Sequence, residues 1–435
     1  MKRTVTLILA LALLLACLTG CESKKDLPMT TIVTETGEQK ELPLATVLID
    51  TGIEPSNFRT FLKTVPGFDR EFHMEVQAMP QEPERSQRLQ RIRTEILAGK
   101  GPDLFISDCY RTTVVDIREA GVDLGDGPLF HFPSQAMENR MFLPLDGYIE
   151  NAQFMEFDKL HPAVMAVGRN QEGQQIIPLK FDFYLTGYIP SVYDMPEERP
   201  KSRQEMLDSG CPVLEFAAKG MWGDALLDSF AQTIDQENDL PAFTEEELLE
   251  RALALWDSRQ KRWSGEYDFF GVDKWDGCGP ASMFFIDYSP REDTILVPDY
   301  NNAGGVSAFV TVFAAINRNA NYPGYAFRVL DKLLSKSEQE KQALYGEVWM
   351  PGLPVCVDFD KDAAFLGGNR LAPEDLEEYQ ELLEMIDNVR FLTSLDQELI
   401  RTLVPVCAAE HSTQADVEKT AHQVYTTMKM MLAES

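Results

Sequence analysis

The sequence predicts an α/β protein, because strand-like and helical patterns alternate from residue 45 to residue 107. Apolar, β-branched runs that are typical of buried strands alternate there with stretches of helical character. The chain has 435 residues, of which 44% are hydrophobic, and this is enough for two domains of ordinary size. Alternation of this kind is typical of sheets with parallel members, and in such sheets ligands bind beyond the carboxyl ends of the strands.

Each of these first elements has its own signal. Residues 45–50 form a strand that ends at Thr51-Gly52, and residues 72–78 form the next strand. Residues 85–98 place Leu89, Ile92, Ile96 and Leu97 on one helical face. Four arginines lie on the other face, which favours a solvated surface over an anion site. A turn at residues 99–102 leads into a third strand, so the loops that start at residues 52 and 108 are candidate ligand-contact loops.

The first 20 residues have the pattern of an export signal. Lys2 and Arg3 precede an apolar run from residue 5 to residue 18 that only Thr6 interrupts. A helix that spans a bilayer needs about 20 apolar residues, so a retained transmembrane anchor is the weaker interpretation. We therefore expect residues 1–20 to be cleaved.

A lipid anchor is expected at Cys21. The segment Leu18-Thr19-Gly20-Cys21 resembles the bacterial lipobox, in which the cysteine thiol receives diacylglycerol and becomes the new N-terminus. The alternative is an ordinary secretory signal that ends near a cysteine. Residues 21–44 are polar and predict a lipidated, flexible tether that holds the protein at the extracytoplasmic face of the membrane.

Composition argues against several kinds of partner and chemistry. The net charge of −30 disfavours nucleic acid and a polybasic contact with anionic lipid. The five histidines are scattered, with no H-E-x-x-H and no nucleophile elbow, so no metal, cofactor or catalytic activity is expected. Five cysteines beyond the anchor lack metal-type spacing and predict buried small apolar residues, although up to two disulfides are possible: Cys109, Cys211, Cys278, Cys356 and Cys407.

A resemblance to a known family begins at residues 95–104, which closely resemble the helix-to-strand turn of family 1 extracellular solute-binding proteins, the family of the maltodextrin-binding protein. Weaker matches follow in the family's order at residues 143–146, 170–178, 187–190, 314–317, 325–335 and 352–355. Two features depart from the family. Ile189 follows Tyr188 where the family has asparagine, and Arg203 stands where the family usually has tryptophan.

The resemblance implies a two-lobed periplasmic-binding-protein-like fold of type II, in which each lobe is a mixed, mostly parallel sheet flanked by helices. It places residues 45–181 and 300–348 in the N-terminal lobe, and residues 182–299 and 349–435 in the C-terminal lobe. The three hinge crossings are expected near residues 180–185, 297–301 and 349–353. The ligand would be enclosed between the lobes of a monomer.

The resemblance also implies a function. The chain is expected to be the substrate-binding lipoprotein of an ABC importer that captures a small polar solute, a mono- or oligosaccharide, and delivers it to the permease subunits. Two alternatives stay open: a surface sensor of the same fold that presents its ligand to a membrane receptor, and a lipid-anchored glycoside hydrolase, for which no acid and nucleophile pair is marked.

Saccharides are bound by aromatic faces and by carboxylates or amides that accept hydroxyl hydrogen bonds. At positions that match the family's contacts, the resemblance implies these ligand-binding residues: Asp108, Tyr110, Arg111, Asp182, Trp222, Tyr288 and Asn301. Asp182 could instead be a hinge residue paired with Lys180 or an arginine, and Trp222 could instead belong to the core. Trp256 lies on the amphipathic helix that starts at residue 245, and we expect it in the core.

Overall fold

The structure, a computed structural model, describes most of the chain downstream of residue 26. The described residues are 27–33, 37–50, 55–80, 83–109, 128–193, 195–196, 198–219, 226, 229–236, 238–265, 277–281, 294–344, 350, 352–358, 365–366, 369–370 and 373–433.

The strands of the described residues are β1 Met29–Val33, β2 Gln39–Asp50, β3 His73–Ala78, β4 Leu104–Asp108, β5 Arg169–Asn170, β6 Gly173–Gln174, β7 Ile176–Asp182, β8 Tyr184–Tyr188, β9 Ile234–Asp235, β10 Leu240–Pro241, β11 Gly277–Pro280, β12 Ile295–Pro298, β13 Val306–Ile316, β14 Leu353–Pro354, β15 Phe365–Leu366, β16 Asn369–Arg370 and β17 Ile386–Phe391.

The helices are α1 Pro55–Leu62, α2 Glu84–Leu97, α3 Pro133–Glu138, α4 Asp146–Ile149, α5 Pro162–Ala166, α6 Pro190–Tyr193, α7 Arg203–Asp208, α8 Pro212–Ala218, α9 Glu245–Trp263, α10 Pro323–Leu333, α11 Lys336–Leu344, α12 Pro373–Glu384, α13 Ser394–Glu398, α14 Val404–Ala408 and α15 Gln414–Ala433. The described residues also form a 3-10 turn at Phe157–Lys159 and a π-helical turn at Leu399–Leu403.

One large mixed sheet dominates the fold, with strand order β1-β2-β4-β13-β7-β14; β3 also pairs with β2, and β17 pairs with β13. The pairs β2–β3, β2–β4 and β13–β17 are parallel, while β13 runs antiparallel to both β4 and β7. The α/β class with parallel members, predicted from the alternation of elements, is confirmed. Because β4 and β7 are both antiparallel to β13, they run in the same direction as β2.

A second sheet lies immediately after β7 in the chain. It has the order β11-β8-β12, and both pairs are antiparallel. A single residue, Phe183, separates β7 of the large sheet from β8 of the second sheet. The chain returns to the large sheet between Pro298, the last residue of β12, and Val306, the first of β13. The predicted crossings near residues 180–185 and 297–301 fall at these passages, and the lobe boundaries themselves stay a prediction.

The segment predicted as a flexible tether is partly folded, which corrects the boundary at residue 44. Met29 to Val33 pair antiparallel with Gln39 to Pro43, so β1 is an edge strand of the large sheet. Thr30, Thr31, Ile32 and Val33 favour extended backbone. The hairpin was missed because β1 is only partly buried and its sequence therefore lacks an apolar alternation.

Helix α2 confirms the amphipathic prediction for residues 85–98 with two corrections. Leu89, Ile92 and Ile96 are buried, but Leu97 is 76% exposed. The arginine face is only partly a solvated surface. Arg93 donates to the backbone oxygens of Leu129 at 3.1 Å and Pro128 at 2.9 Å, so part of this face fastens the segment that follows residue 127.

The aspartate of the Gly-Pro-Asp turn at residues 101–103 has a structural role. Asp103 is 1% exposed, and its carboxylate accepts hydrogen bonds from the backbone nitrogens of Thr46 at 2.8 Å and Asn321 at 2.5 Å. One side chain therefore joins β2, the start of β4 and the segment that precedes α10.

The described residues form two hydrophobic cores. The larger one includes residues of both sheets, while the smaller one is helical and is built from α9, α13, α14, α15 and the π-helical turn. Helix α9 begins with a capping box in which Thr244 and Glu247 exchange hydrogen bonds. Trp256 packs against this helical core, as predicted, and donates to the backbone oxygen of Ser412 at 3.1 Å.

Four of the five cysteines are buried and carry free thiols, which confirms the prediction for Cys109, Cys211, Cys356 and Cys407. The side chain of Cys278 lies outside the described part of the structure. Within the residues that the structure describes, no helix combines the length and the apolar character that a bilayer span requires.

Candidate functional site

Three strands of the large sheet end in aspartate at the same edge. Asp50 ends β2, Asp108 ends β4 and Asp182 ends β7, and these strands run in the same direction. This is the carboxyl edge at which ligands bind in α/β sheets. Two of the three, Asp108 and Asp182, are residues that the sequence marked as ligand contacts.

Asp50 has a structural role at this edge. It is 5% exposed, forms an ion pair with Arg85 at 2.6 Å, and accepts a hydrogen bond from the backbone nitrogen of Leu129 at 2.9 Å. Both carboxylate oxygens are therefore engaged by protein groups. A second arginine of α2 is thus fixed to this edge of the sheet instead of forming a solvated face.

Asp108, Lys180 and Asp182 lie on one face of the sheet. Val312 of β13 pairs with Asp108 of β4 on one side and with Lys180 of β7 on the other. Residues that pair directly in antiparallel strands point to the same face, and Asp182 shares that face because it follows Lys180 by two positions. Two strand spacings separate the backbones of Asp108 and Lys180 by about 10 Å.

Lys180 is 2% exposed. Burial lowers the pKa of its amine to about 7, and the neighbouring carboxylate of Asp182 opposes part of that shift. A lysine that is partly neutral near pH 7 is uncommon, and strongly shifted groups of this kind concentrate at functional sites. The sequence predicts Lys180 only as a possible partner for Asp182, and the pattern of β7 does not reveal its burial.

Asp182 is also buried, at 2% exposure, and its Oδ1 atom accepts a hydrogen bond from the backbone nitrogen of Phe183 at 3.0 Å. The aspartate therefore sits where the chain passes from one sheet to the other. The Tyr379 hydroxyl of α12 lies in the same electrostatic environment, since burial raises its pKa and the charge of Asp182 raises it further. The geometry is compatible with both interpretations of Asp182, as a ligand contact and as a hinge residue.

The turn after β17 closes against the end of β4. Cys109 directly follows Asp108, and its backbone nitrogen donates to the oxygen of Thr311 at 2.9 Å. Burial raises the pKa of the Cys109 thiol well above its ordinary value, and the charges of Asp108 and Asp396 add to the shift. Asp396 is itself fully buried and forms a capping box with Thr393. The spacing of these two residues is the signal that could have located this turn.

Asn301 lies apart from this group. It is 1% exposed; its amide nitrogen donates to Ser307 at 3.2 Å and to Asp387 at 2.9 Å, and its oxygen accepts from the backbone nitrogen of Ala303 at 2.8 Å. Ser307 lies five positions before Val312 in β13, a distance of about 17 Å along the strand. In this conformation Asn301 stabilises the loop that enters β13, and its ligand role stays a prediction.

The other predicted contacts, Tyr110, Arg111, Trp222 and Tyr288, lie outside the described residues, as does the lipidation site Cys21. Their roles therefore stay predictions. Within the described part of the chain, no group of three or more histidine, cysteine, aspartate or glutamate side chains is arranged to hold a metal ion.

A separate cavity of about 370 Å³ opens beside β17. Its walls come from α3, α5, β17 and the segment around β9, and neither Asp108, Lys180 nor Asp182 lines it. It is lined by Ser134, Ala163, Ala166, Val167, Arg169, Gln232, Thr233, Ile234, Gln236, Asp387, Asn388, Val389, Arg390, Phe391 and Thr393.

Solved structures with the same architecture are found although the sequences have diverged widely. A family 1 extracellular solute-binding protein from Alicyclobacillus acidocaldarius is 14% identical, with a TM-score of 0.55 over 90% of this chain and 100% of that one. The sugar-binding protein MalE from Xanthomonas citri is 12% identical, with a TM-score of 0.56 over 90% and 98% of the two chains. A sugar transporter from Arthrobacter chlorophenolicus with bound laminaribiose is 13% identical, with a TM-score of 0.51 over 90% and 99%.

No protein-family model matches the sequence, and no curated protein matches it. The structural similarity nevertheless covers about nine-tenths of the chain. The fold is therefore the two-lobed α/β fold of these solute-binding proteins, and the resemblance seen in the sequence is confirmed at the level of the fold.

Proposed function

We propose that this protein is an extracytoplasmic substrate-binding lipoprotein that captures a saccharide between two lobes and delivers it to an ABC permease. The observation that carries the proposal is the set of polar side chains at the carboxyl edge of the large sheet, Asp108, Lys180 and Asp182, beside the passage between the two sheets. Ligands of α/β sheets bind at the carboxyl edge, and the family resemblance implies ligand contacts at residues 108 and 182 of this edge.

Capture would follow from lobe closure. A ligand shifts the equilibrium between open and closed lobes only by the difference in its affinity for the two forms. Closure would require the two sheets to change their relative orientation near Phe183, the single residue between β7 and β8. Closed protein with its ligand would then be the form that the permease recognises.

A thermal-shift screen tests the proposal. The purified protein is heated with neutral mono- and disaccharides such as maltose and laminaribiose, with acidic saccharides, and with peptides and polyamines as other solute classes. A saturating ligand stabilises the native state by RT ln(1 + [L]/Kd), so about 2.7 kcal/mol is expected at 100 times Kd. The proposal fails if no saccharide raises the melting temperature, or if a saccharide is hydrolysed during the assay.

Trp222→Ala is expected to weaken saccharide binding up to about tenfold, because the contact of an aromatic face contributes about 0.5 to 1.5 kcal/mol. The melting temperature of the unliganded variant should stay close to that of the wild type. Titration calorimetry and thermal melts measure the two quantities. A large loss of stability without ligand would instead place Trp222 in the core.

The membrane anchor is part of the proposal. Cys21→Ser removes the thiol that would carry the diacylglycerol, so the protein should move from the membrane fraction to the medium or the soluble fraction. Cys17→Ser is the matched control, because Cys17 lies within the predicted signal and its loss should leave the protein on the membrane. Equal fractionation of the two variants would contradict a lipid anchor at Cys21.

A further inference from the structure

The side chain of Lys180 is buried, and its amine has no direct partner among the residues that the structure describes. The side chain is 2% exposed, and among the residues that the structure describes it forms no hydrogen bond and no ion pair. A buried ammonium group loses its hydration, and this loss is unfavourable unless an acceptor or an opposite charge replaces the water. A methionine or leucine would fill the same space in β7 without that loss.

The charged and titratable groups around Lys180 come from three elements. Asp182 lies on the same strand, Asp108 lies across β13, and Tyr379 of α12 lies near Asp182. Asp182 is close enough to raise the pKa of the Lys180 amine, but burial has the larger effect and lowers it to about 7. The carboxylate of Asp182 therefore compensates the burial of the amine only in part.

We propose that Lys180 is a specificity residue that binds a carboxylate group of the ligand, so that the solute is an acidic saccharide such as a uronic acid or an oligosaccharide that contains one. This inference rests on the proposed saccharide-binding function. Asp108 and Asp182, on the same face of the sheet, would accept hydrogen bonds from hydroxyl groups of the same sugar.

A carboxylate suits this position better than a hydroxyl group does. Hydrogen bonds between an ammonium and a carboxylate are about twice as strong as neutral ones, and the opposite charge offsets the loss of hydration directly. The backbone of Asp108 lies about 10 Å from that of Lys180, so the repulsion between Asp108 and a carboxylate in contact with Lys180 is expected to be weaker than the attraction at contact distance. A neutral sugar could be held by amide or hydroxyl donors, without a buried amine.

The proposed contact couples binding to proton uptake. Above pH 7 the free amine is mostly neutral, whereas the ligand carboxylate stabilises the ammonium form and raises the pKa of Lys180 in the complex. The complex therefore takes up a proton, and the affinity should fall up to tenfold per pH unit as the pH rises above 7. Below pH 7 the amine of Lys180 is already charged, so its protonation should no longer make the affinity depend on pH.

The stability of the unliganded protein should depend on pH in the opposite direction to the ligand affinity. Because the folded-state pKa of Lys180 lies near 7 and the ordinary value is 10.5, the unfolded chain holds more protons than the native state between these values. The stability that this group contributes should rise with pH above 7 and be lost as the pH falls towards 7. Lys180→Met should remove this dependence, and its melting temperature at pH 7 should be equal to or higher than that of the wild type.

The experiment compares matched saccharides. Glucose and glucuronate, galactose and galacturonate, and the corresponding disaccharides are titrated into the wild type, Lys180→Met and the control Lys63→Met between pH 6 and pH 9. Lys63 is exposed, so its replacement leaves the site intact. We expect an acidic saccharide to bind the wild type and the control, with affinity that falls above pH 7, and to bind Lys180→Met about 30-fold more weakly.

The outcomes separate this inference from the proposed function. If the wild type binds only neutral saccharides, or binds an acidic one with no pH dependence and no loss in Lys180→Met, the role of Lys180 is refuted while saccharide binding stands. If no saccharide of either kind binds, the proposed function fails. Should Lys180→Met not fold, the pH dependence of acidic-saccharide binding to the wild type decides the question alone.

Discussion

Gly168→Ala is expected to destabilise the protein by about 3 kcal/mol or more, because the new methyl group meets the backbone. A Cβ atom built on Gly168 lies 2.0 Å from the backbone oxygen of Ile176 and 2.9 Å from the amide nitrogen of Gln174. The oxygen of Gly168 also accepts hydrogen bonds from the backbone nitrogens of Gln175 and Ile176, so the backbone cannot retreat without breaking the turn that starts β7.

Urea unfolding at neutral pH measures this effect as a lower transition midpoint. Gly147→Ala is the matched control, since no atom lies within 4 Å of its Cβ position and it belongs to helix α4. We expect that variant to stay within about 1 kcal/mol of the wild type, because alanine favours helix over glycine. A wild-type midpoint for Gly168→Ala would show that the close approach at residues 168–176 is absent in solution.

Asp182→Asn is expected to weaken saccharide binding about 100-fold while leaving the unliganded fold intact. Asparagine keeps the shape of the side chain and an oxygen that can accept from the backbone nitrogen of Phe183. It loses the charge and one acceptor, and hydrogen bonds to a charged group contribute about 1.5 to 3 kcal/mol each, which is roughly 10-fold to 150-fold in affinity.

The measurement is a calorimetric titration with the saccharide that gives the largest thermal shift, together with melts of the unliganded variants. Asp158→Asn, an exposed aspartate of the 3-10 turn, is the control and should bind as the wild type does. Unchanged affinity in Asp182→Asn would leave only the hinge interpretation of this residue. A large drop in the melting temperature without ligand would show that the carboxylate stabilises the fold itself.

Much of the large sheet could be predicted from the sequence because its strands are buried. Residues 47–49 and 104–106 are continuous apolar runs, and their positions in β2 and β4 agree with the prediction. Strand β1 was not predicted, because a half-exposed edge strand has no such run. The place of β17 beside β13 could not be predicted either, since Val306 and its partner Ile386 lie 80 positions apart with several elements between them.

The candidate site was predicted only in part. The alternation of elements indicated only the loop at residue 108 as a ligand-contact loop, whereas the family resemblance implied contact roles for Asp108 and Asp182. The sequence could not show the ion pair between Asp50 and Arg85 or the hydrogen bond from Asn301 to Asp387. Each of these interactions joins residues that are distant in the chain. Likewise the burial of Lys180 follows from the neighbours of β7 on both sides.

Small-angle X-ray scattering of the protein with and without a saturating saccharide tests lobe closure most directly. The sample is titrated first by calorimetry, so that occupancy is known. The proposed function predicts one saccharide per chain and a smaller radius of gyration in the liganded protein. The radius of gyration of the unliganded protein should return when the sugar is removed by dialysis. Full occupancy with an unchanged radius of gyration would contradict capture between two closing lobes.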